Sequence, residues 1–334
     1  MPLPFILLGA AVLAGGFGVK KGLDAKSDFD RAESLNREAQ RIFDSAQKSL
    51  ETARNSAQEA LETLGKQKFT IYSNSLIPFV EAFSQIKNID FKDEKLLGDF
   101  SLAVTQTDML AVRDISLLMQ DVVKGGVGSL GAGGLAGLAA YGGVGLLGTA
   151  STGTAIGGLT GVAATNATLA WLGGGSLAAG GFGMAGGMAV LGGIVAGPVL
   201  AVGGMMMASK AQEAKEDAYA NRDKANLAAE QMKAAQVVTE GITLRIEQIH
   251  EVLSDLNARF KEFLFGLQKL VKSETDYRSY SEADKKGVMM AAMIAKTLKN
   301  IVETPVIDEK GAITSASRKV LEETQGVMKQ LNLK

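Results

Sequence analysis

From Gly125 through Ser209 the chain runs for 85 consecutive residues without a single charged side chain or histidine, although 21% of the whole is charged. That neutral stretch holds 28 of the 40 glycines, with alanine, leucine, valine and methionine filling most of the rest. A water-exposed domain of such length needs charge on its outer surface, and this one has none to place there. About 20 apolar residues cross a bilayer, so the stretch is long enough for up to about four crossings. The expectation is a membrane-embedded block at 125–209.

A second apolar run, 1–19, opens the chain. Its basic residues, Lys20 and Lys21, follow the apolar core rather than precede it, so it reads as a retained membrane segment and not as a cleaved secretory signal. Lys124 and Lys210 flank the neutral block. If lysines stay on the cytoplasmic side, the block crosses an even number of times and both flanking regions face the cytoplasm. Two crossings with re-entrant pieces, or four crossings, both fit.

Composition narrows the chemistry. The formal net charge of −1 offers no basic excess for nucleic acid. With no cysteine, disulfides, thiolate nucleophiles and zinc–thiolate sites are all excluded. The letters Gly126, Gly128 and Gly131 match a dinucleotide fingerprint, but no acidic residue follows about 20 positions later, so chance accounts for them. His250 is the only histidine and has no evident catalytic or metal partners nearby. No enzyme activity and no cofactor is expected.

Outside the neutral block the strongest pattern is a 3.5-residue seam from Ala211 to Leu270: Ala211, Ala214, Ala218, Asn221, Ala225, Ala228, Met232, Ala235, Thr239, Ile242, Ile246, Ile249, Leu253, Leu256, Phe260, Phe263, Leu267, Leu270. Such spacing predicts a long helix packed lengthwise in a coiled coil, with Gly241 as a point of weakness. A shorter seam runs Phe29, Ala32, Asn36, Ala39, Phe43, Ala46, Leu50, Ala53, Ala57, Ala60, Leu64, and Gly65 is read as its stop. Each seam carries one asparagine in its first part. The two helices are expected to pack parallel with Asn36 facing Asn221, fixing coiled-coil register, because a slipped pairing strands an amide. The bland alternative is that both asparagines point to water.

Further helices are expected over 69–89, 102–123 and 281–302, with a last one capped by Ser315. The resulting segmentation is 1–19 membrane segment, 20–124 amphipathic helices, 125–209 membrane block, 210–272 heptad helix and 273–334 C-terminal helices. The fold class is all-α.

Inside the neutral block, four-residue glycine spacing places small residues on one helix face: Gly133 and Gly137, the triple Gly153, Gly157 and Gly161, then Gly183 and Gly187, and Gly193 and Gly197. In a membrane such faces let helices approach to backbone contact. Thr160, Thr165, Asn166 and Thr168 supply interhelical hydrogen bonds or line a lumen.

The run from Gly148 to Gly181, the opening Met1–Pro4 and the Gly18–Gly22 stretch resemble a group of uncharacterised bacterial glycine-rich (glycine-zipper) membrane proteins. That resemblance implies a bacterial source and supplies no activity. The architecture is similar to helical pore-forming toxins of the cytolysin A type and to apolipoprotein L. Together these readings give an expected bacterial inner-membrane protein, its long helices on the cytoplasmic side. It would homo-oligomerise and form a pore in the lipid bilayer. The alternative expectation is a membrane-anchored coiled-coil scaffold that recruits a protein partner without a pore.

Overall fold

The computed structural model describes residues 19–91, 104–125, 135–140, 142, 213–308 and 311–331. Helices account for nearly all of them: α1 Val19–Ile71, α2 Ile77–Phe83, α3 Gln106–Lys124, α4 Glu213–Ser273, α5 Glu282–Glu303 and α6 Ser315–Gln330. Among the described residues there is no strand, only the isolated bridges Lys87–Asp276 and Ile307–Ile313. The fold is all-α.

The chain divides into two compact units, one of Met1–Ser49 with Val195–Lys233 and one of Leu50–Ile194 with Ala234–Lys334. The first unit is alanine-rich. Ala32, Leu35 and Ala218 form its small buried cluster, with Tyr219 packed against them. Arg31 donates to the Tyr219 hydroxyl at 3.3 Å and Asn221 donates its amide to Asn36 Oδ1 at 3.2 Å, so α1 and α4 run in the same direction here.

The second unit holds the main core. The α1–α4 pairing is again parallel: Gln67 donates to the His250 carbonyl at 2.9 Å and Ser75 to Asn257 Oδ1 at 2.7 Å. Ile242, Ile246, Ile249, Leu253, Leu256 and Phe260 of α4 are buried in register with the 3.5-residue pattern. Beyond Phe260 the buried face moves to Leu264, Leu267 and Val271, so Phe263 and Leu270 pack only against its edge. Two successive four-residue steps, 256 to 260 to 264, cause the drift, because an α-helix completes 3.6 rather than 3.5 residues per turn.

Gly65 does not end α1. The helix continues through it to Ile71, passes through a π-helical turn at Tyr72–Leu76, and enters α2 with Pro78 in its first turn. The glycine serves another purpose. A Cβ there would lie 2.0 Å from the main-chain oxygen of Leu135. Residues 135–140 are helical, and Leu135, Ala136, Leu138, Ala139 and Ala140 are buried in the core. The carbonyls of Leu138, Ala139 and Ala140 each find a partner. Leu138 O accepts from Gly142 N at 3.1 Å, and Ala140 O from Val306 N at 2.7 Å. Lys68 Nζ donates to Ala139 O at 2.9 Å and Leu138 O at 3.4 Å. Gly142, at φ +70°, takes the left-handed conformation of a helix cap and abuts the Glu303 carbonyl. Lys68 is 0% exposed, and burial lowers its amine to about 7.

Among the described residues no helix is long and apolar enough to cross a membrane. That finding overturns the expected integral membrane pore, the membrane-anchored alternative and the placement in the bacterial inner membrane with cytoplasmic helices. The physical reason lies in the helices themselves. α1 and α4 are long enough but carry charged residues throughout, and the described residues 135–140 are enclosed by protein. The 1–19 segment, apart from Val19, and most of 125–209 lie outside the described residues.

Gly241 lies within an unbroken α4, and a Cβ there would meet only Ile313 Cδ1 at 3.8 Å. The cap of α6 is Thr314 rather than Ser315: its hydroxyl accepts from Ser317 N at 3.0 Å.

Candidate functional site

Chain direction around α2 and α3 creates a depression on the second unit. α2 ends at Phe83, and Asn88 adopts a left-handed φ of 59° that turns the chain. There Lys87 N donates to Thr275 O at 2.8 Å and Tyr277 N to Lys87 O at 3.0 Å. Asn88 Nδ2 also donates to Asp276 Oδ1 at 3.1 Å. Hydrogen bonds from Arg278 and then Asn88 hold the Asp276 carboxyl well below its ordinary range. These bonds fix the end of the α2 segment.

The other wall is α3. Thr105 and Asp108 cap it reciprocally: Thr105 N donates to Asp108 Oδ2 at 2.8 Å, and Asp108 N donates to Thr105 Oγ1 at 3.2 Å. Lys296 Nζ, 3.0 Å from the same carboxylate, ties α3 to α5. Burial pushes the Asp108 carboxyl up, but hydrogen bonds from Lys296 and Thr105 outweigh it and leave it below the usual range.

Between these walls lies a cavity of about 400 Å³, lined by Phe79, Val80, Phe83, Ile86, Ile89, Phe91, Met109 and Leu110, with Ser84, Asn88, Gln106 and Arg113 as its polar groups. Phe79 packs on Phe83 at 5.1 Å and on Phe260 at 5.6 Å between ring centroids, so the aromatic floor is anchored to α4. Beside the cavity α3 leaves large apolar side chains in water: Leu110 is 41% exposed, Leu117 55% and Leu118 53%. At 100° per residue, Leu110 and Leu117 stand almost in line, with Arg113 and Asp114 flanking them and Leu118 to one side. Arg113 and Asp114 are exposed and pair at 2.9 Å. An apolar groove continuous with an exposed leucine stripe is the arrangement that receives an amphipathic helix. Its side chains offer apolar packing surface and a few charges.

The sites expected from sequence fall elsewhere. Asn36 and Asn221 come together, as described. Gly137 lies within residues 135–140, where it is buried. Gly133, Gly153, Gly157, Gly161, Gly183, Gly187, Gly193 and Gly197 lie outside the described residues, as do Thr160, Thr165, Asn166 and Thr168. His250 lies along α4 with its carbonyl bound by Gln67, and its Nδ1 has no hydrogen-bond partner among the described residues. Sequence reasoning passed over the α3 stripe. Its signal was legible as leucines at 110, 117 and 118, on a different side of the helix from the buried Met109, Val112, Ile115 and Met119.

No known family, curated protein or solved structure matches this chain.

Proposed function

We propose that this protein is a non-enzymatic helical scaffold that works by self-association through the α2–α3 surface. One observation carries the reading: three leucines on α3 are 41–55% exposed beside a cavity floored by phenylalanines. Fully burying an exposed leucine stabilises by roughly 1.5–3 kcal/mol, so covering three half-exposed ones side by side recovers a fraction of that at each. The parallel α1–α4 pairing supplies the support. It anchors the aromatic floor through Phe260, and the cap and ion pair of Asp108 hold α3 in place.

Sedimentation of the full chain over a range of concentrations tests this reading. The expected result is a species heavier than the 34.9 kDa chain. Replacing the exposed pair by Leu117→Glu and Leu118→Glu together is expected to return it to monomer with helix content unchanged. A wild-type chain that stays monomeric at about 100 μM, the regime where weak contacts of roughly 5 kcal/mol are populated, rejects the scaffold reading.

A further inference from the structure

Apart from the α2–α3 surface, the second unit encloses a lysine amine that faces carbonyls alone. Lys68 is 0% exposed, and its Nζ reaches Ala139 O at 2.9 Å and Leu138 O at 3.4 Å. We propose that residues 135–140 are a proton-operated latch, seated on α1 while the Lys68 amine is neutral and released when it takes up a proton.

Two carbonyls suit a neutral amine, which has two N–H groups to donate. An ammonium has three, and it carries a full charge. Among the described residues no third acceptor and no carboxylate pairs with Nζ. A charge kept from water with only carbonyl dipoles beside it is costly, so the protonated form favours any state in which it meets solvent. Lifting 135–140 removes both acceptors and opens that side of the amine to water.

The seat holds the segment at its two ends and by one side chain between them. At the first end Gly65 lets the Leu135 main chain approach α1. At the other, Ala140 O accepts from Val306 N at 2.7 Å, and Gly142 abuts the Glu303 main chain. Among the described residues Lys68 supplies the only side-chain hydrogen bonds to 135–140. The segment's attachment is therefore tied to the state of that one amine.

The neighbouring titratable groups do not offset it. Tyr72 follows Lys68 by one turn, and burial, then the Glu303 carboxylate, keeps its phenol protonated. Glu303 pairs on α5 with Lys299 at 2.8 Å. α4 brings His250, whose carbonyl is held by Gln67. Residues 135–140 contribute no titratable side chain. Burial alone lowers the amine from 10.5 to about 7. The seated form is thus favoured as pH rises above 7. Acidifying from pH 9 to pH 7 raises the released fraction about fiftyfold, and further acid adds little.

Because the chain has no cysteine, Ala136→Cys places a single thiol in the seated segment. Ala136 is 3% exposed, so a thiol reagent reaches that position only when the segment lifts. Its labelling rate, divided by that of an unstructured peptide at the same pH, reports this opening. The ratio is expected to rise about fiftyfold from pH 9 to pH 7 and to stay constant in low urea. Adding Lys68→Met should make it independent of pH. A ratio unchanged by pH, or an equal pH dependence in the Lys68→Met protein, overturns the latch. So does a ratio that climbs with urea as steeply as global unfolding, because the segment then lifts only when the whole unit unfolds. Should Lys68→Met fail to fold, the profile of the Ala136→Cys protein decides. Levelling off near pH 7 supports the latch, and a midpoint elsewhere overturns it. Self-association through α2–α3 is tested separately by sedimentation and stands or falls on that result.

Discussion

Asn36 and Asn221 are half-buried in an alanine-rich pairing where little else specifies alignment. Their 3.2 Å hydrogen bond is therefore the most position-dependent contact in that unit. Removing one partner leaves the other amide without its mate, so Asn36→Ala and Asn221→Ala are each expected to cost about 1 kcal/mol. In a double-mutant cycle by denaturant unfolding, the pair should show a coupling of about 0.5–1.5 kcal/mol. Zero coupling would mean the contact does not constrain alignment. Lys68 is the opposite kind of residue, because its position is paid for by the core around it. In sequence it reads as one more solvated lysine on a helix of alternating charge. Only the fold shows it enclosed, since the residues that enclose it, 135–140, are distant in sequence.

Helices here are set as much by what they exclude as by what they contain. Gly65 was legible as a glycine at the end of a seam, and a stop was the natural reading. The helix continues because the space a side chain would fill belongs to the Leu135 main chain. Gly65→Ala is accordingly expected to destabilise by about 1–3 kcal/mol through overpacking, despite alanine's better helix propensity. Hydrogen exchange of residues 135–140 should quicken in that variant; if exchange there is unchanged, the close approach is not what the glycine serves. The long α4 was legible because its seam repeats for many turns, from Ala218 to Phe260. The change of face after Phe260 was not, because Phe263 and Leu264 are equally apolar and only packing chooses between them. The α3 surface was obscured for a similar reason: its leucines read as part of one apolar helix leading into the neutral block.

For the whole molecule, acidity and stability are linked through the buried amine. The unfolded chain holds the Lys68 proton up to its ordinary 10.5, while the folded chain holds it only to about 7. Stability therefore rises as pH increases through that interval and levels off below it, the full penalty being on the order of 5 kcal/mol. Between pH 7 and pH 9 denaturant unfolding should show a gain of about 2 kcal/mol from this residue. Lys68→Met should flatten that slope; an identical slope in both proteins would place the titration elsewhere. The expected membrane block illustrates the limit of composition as a guide: apolar, glycine-rich sequence reports a need to leave water without naming the place it goes, and residues 135–140 go into the protein's own interior.

The π-helical turn at Tyr72–Leu76 has a consequence of a mechanical kind. It carries one residue more than a regular thread would hold and takes up that surplus within a single turn. Trimming the exposed Asn74 would let the thread close up into a regular helix while leaving Phe79 in engagement with Phe260. A surplus of one residue is thus absorbed there without turning the aromatic teeth that follow.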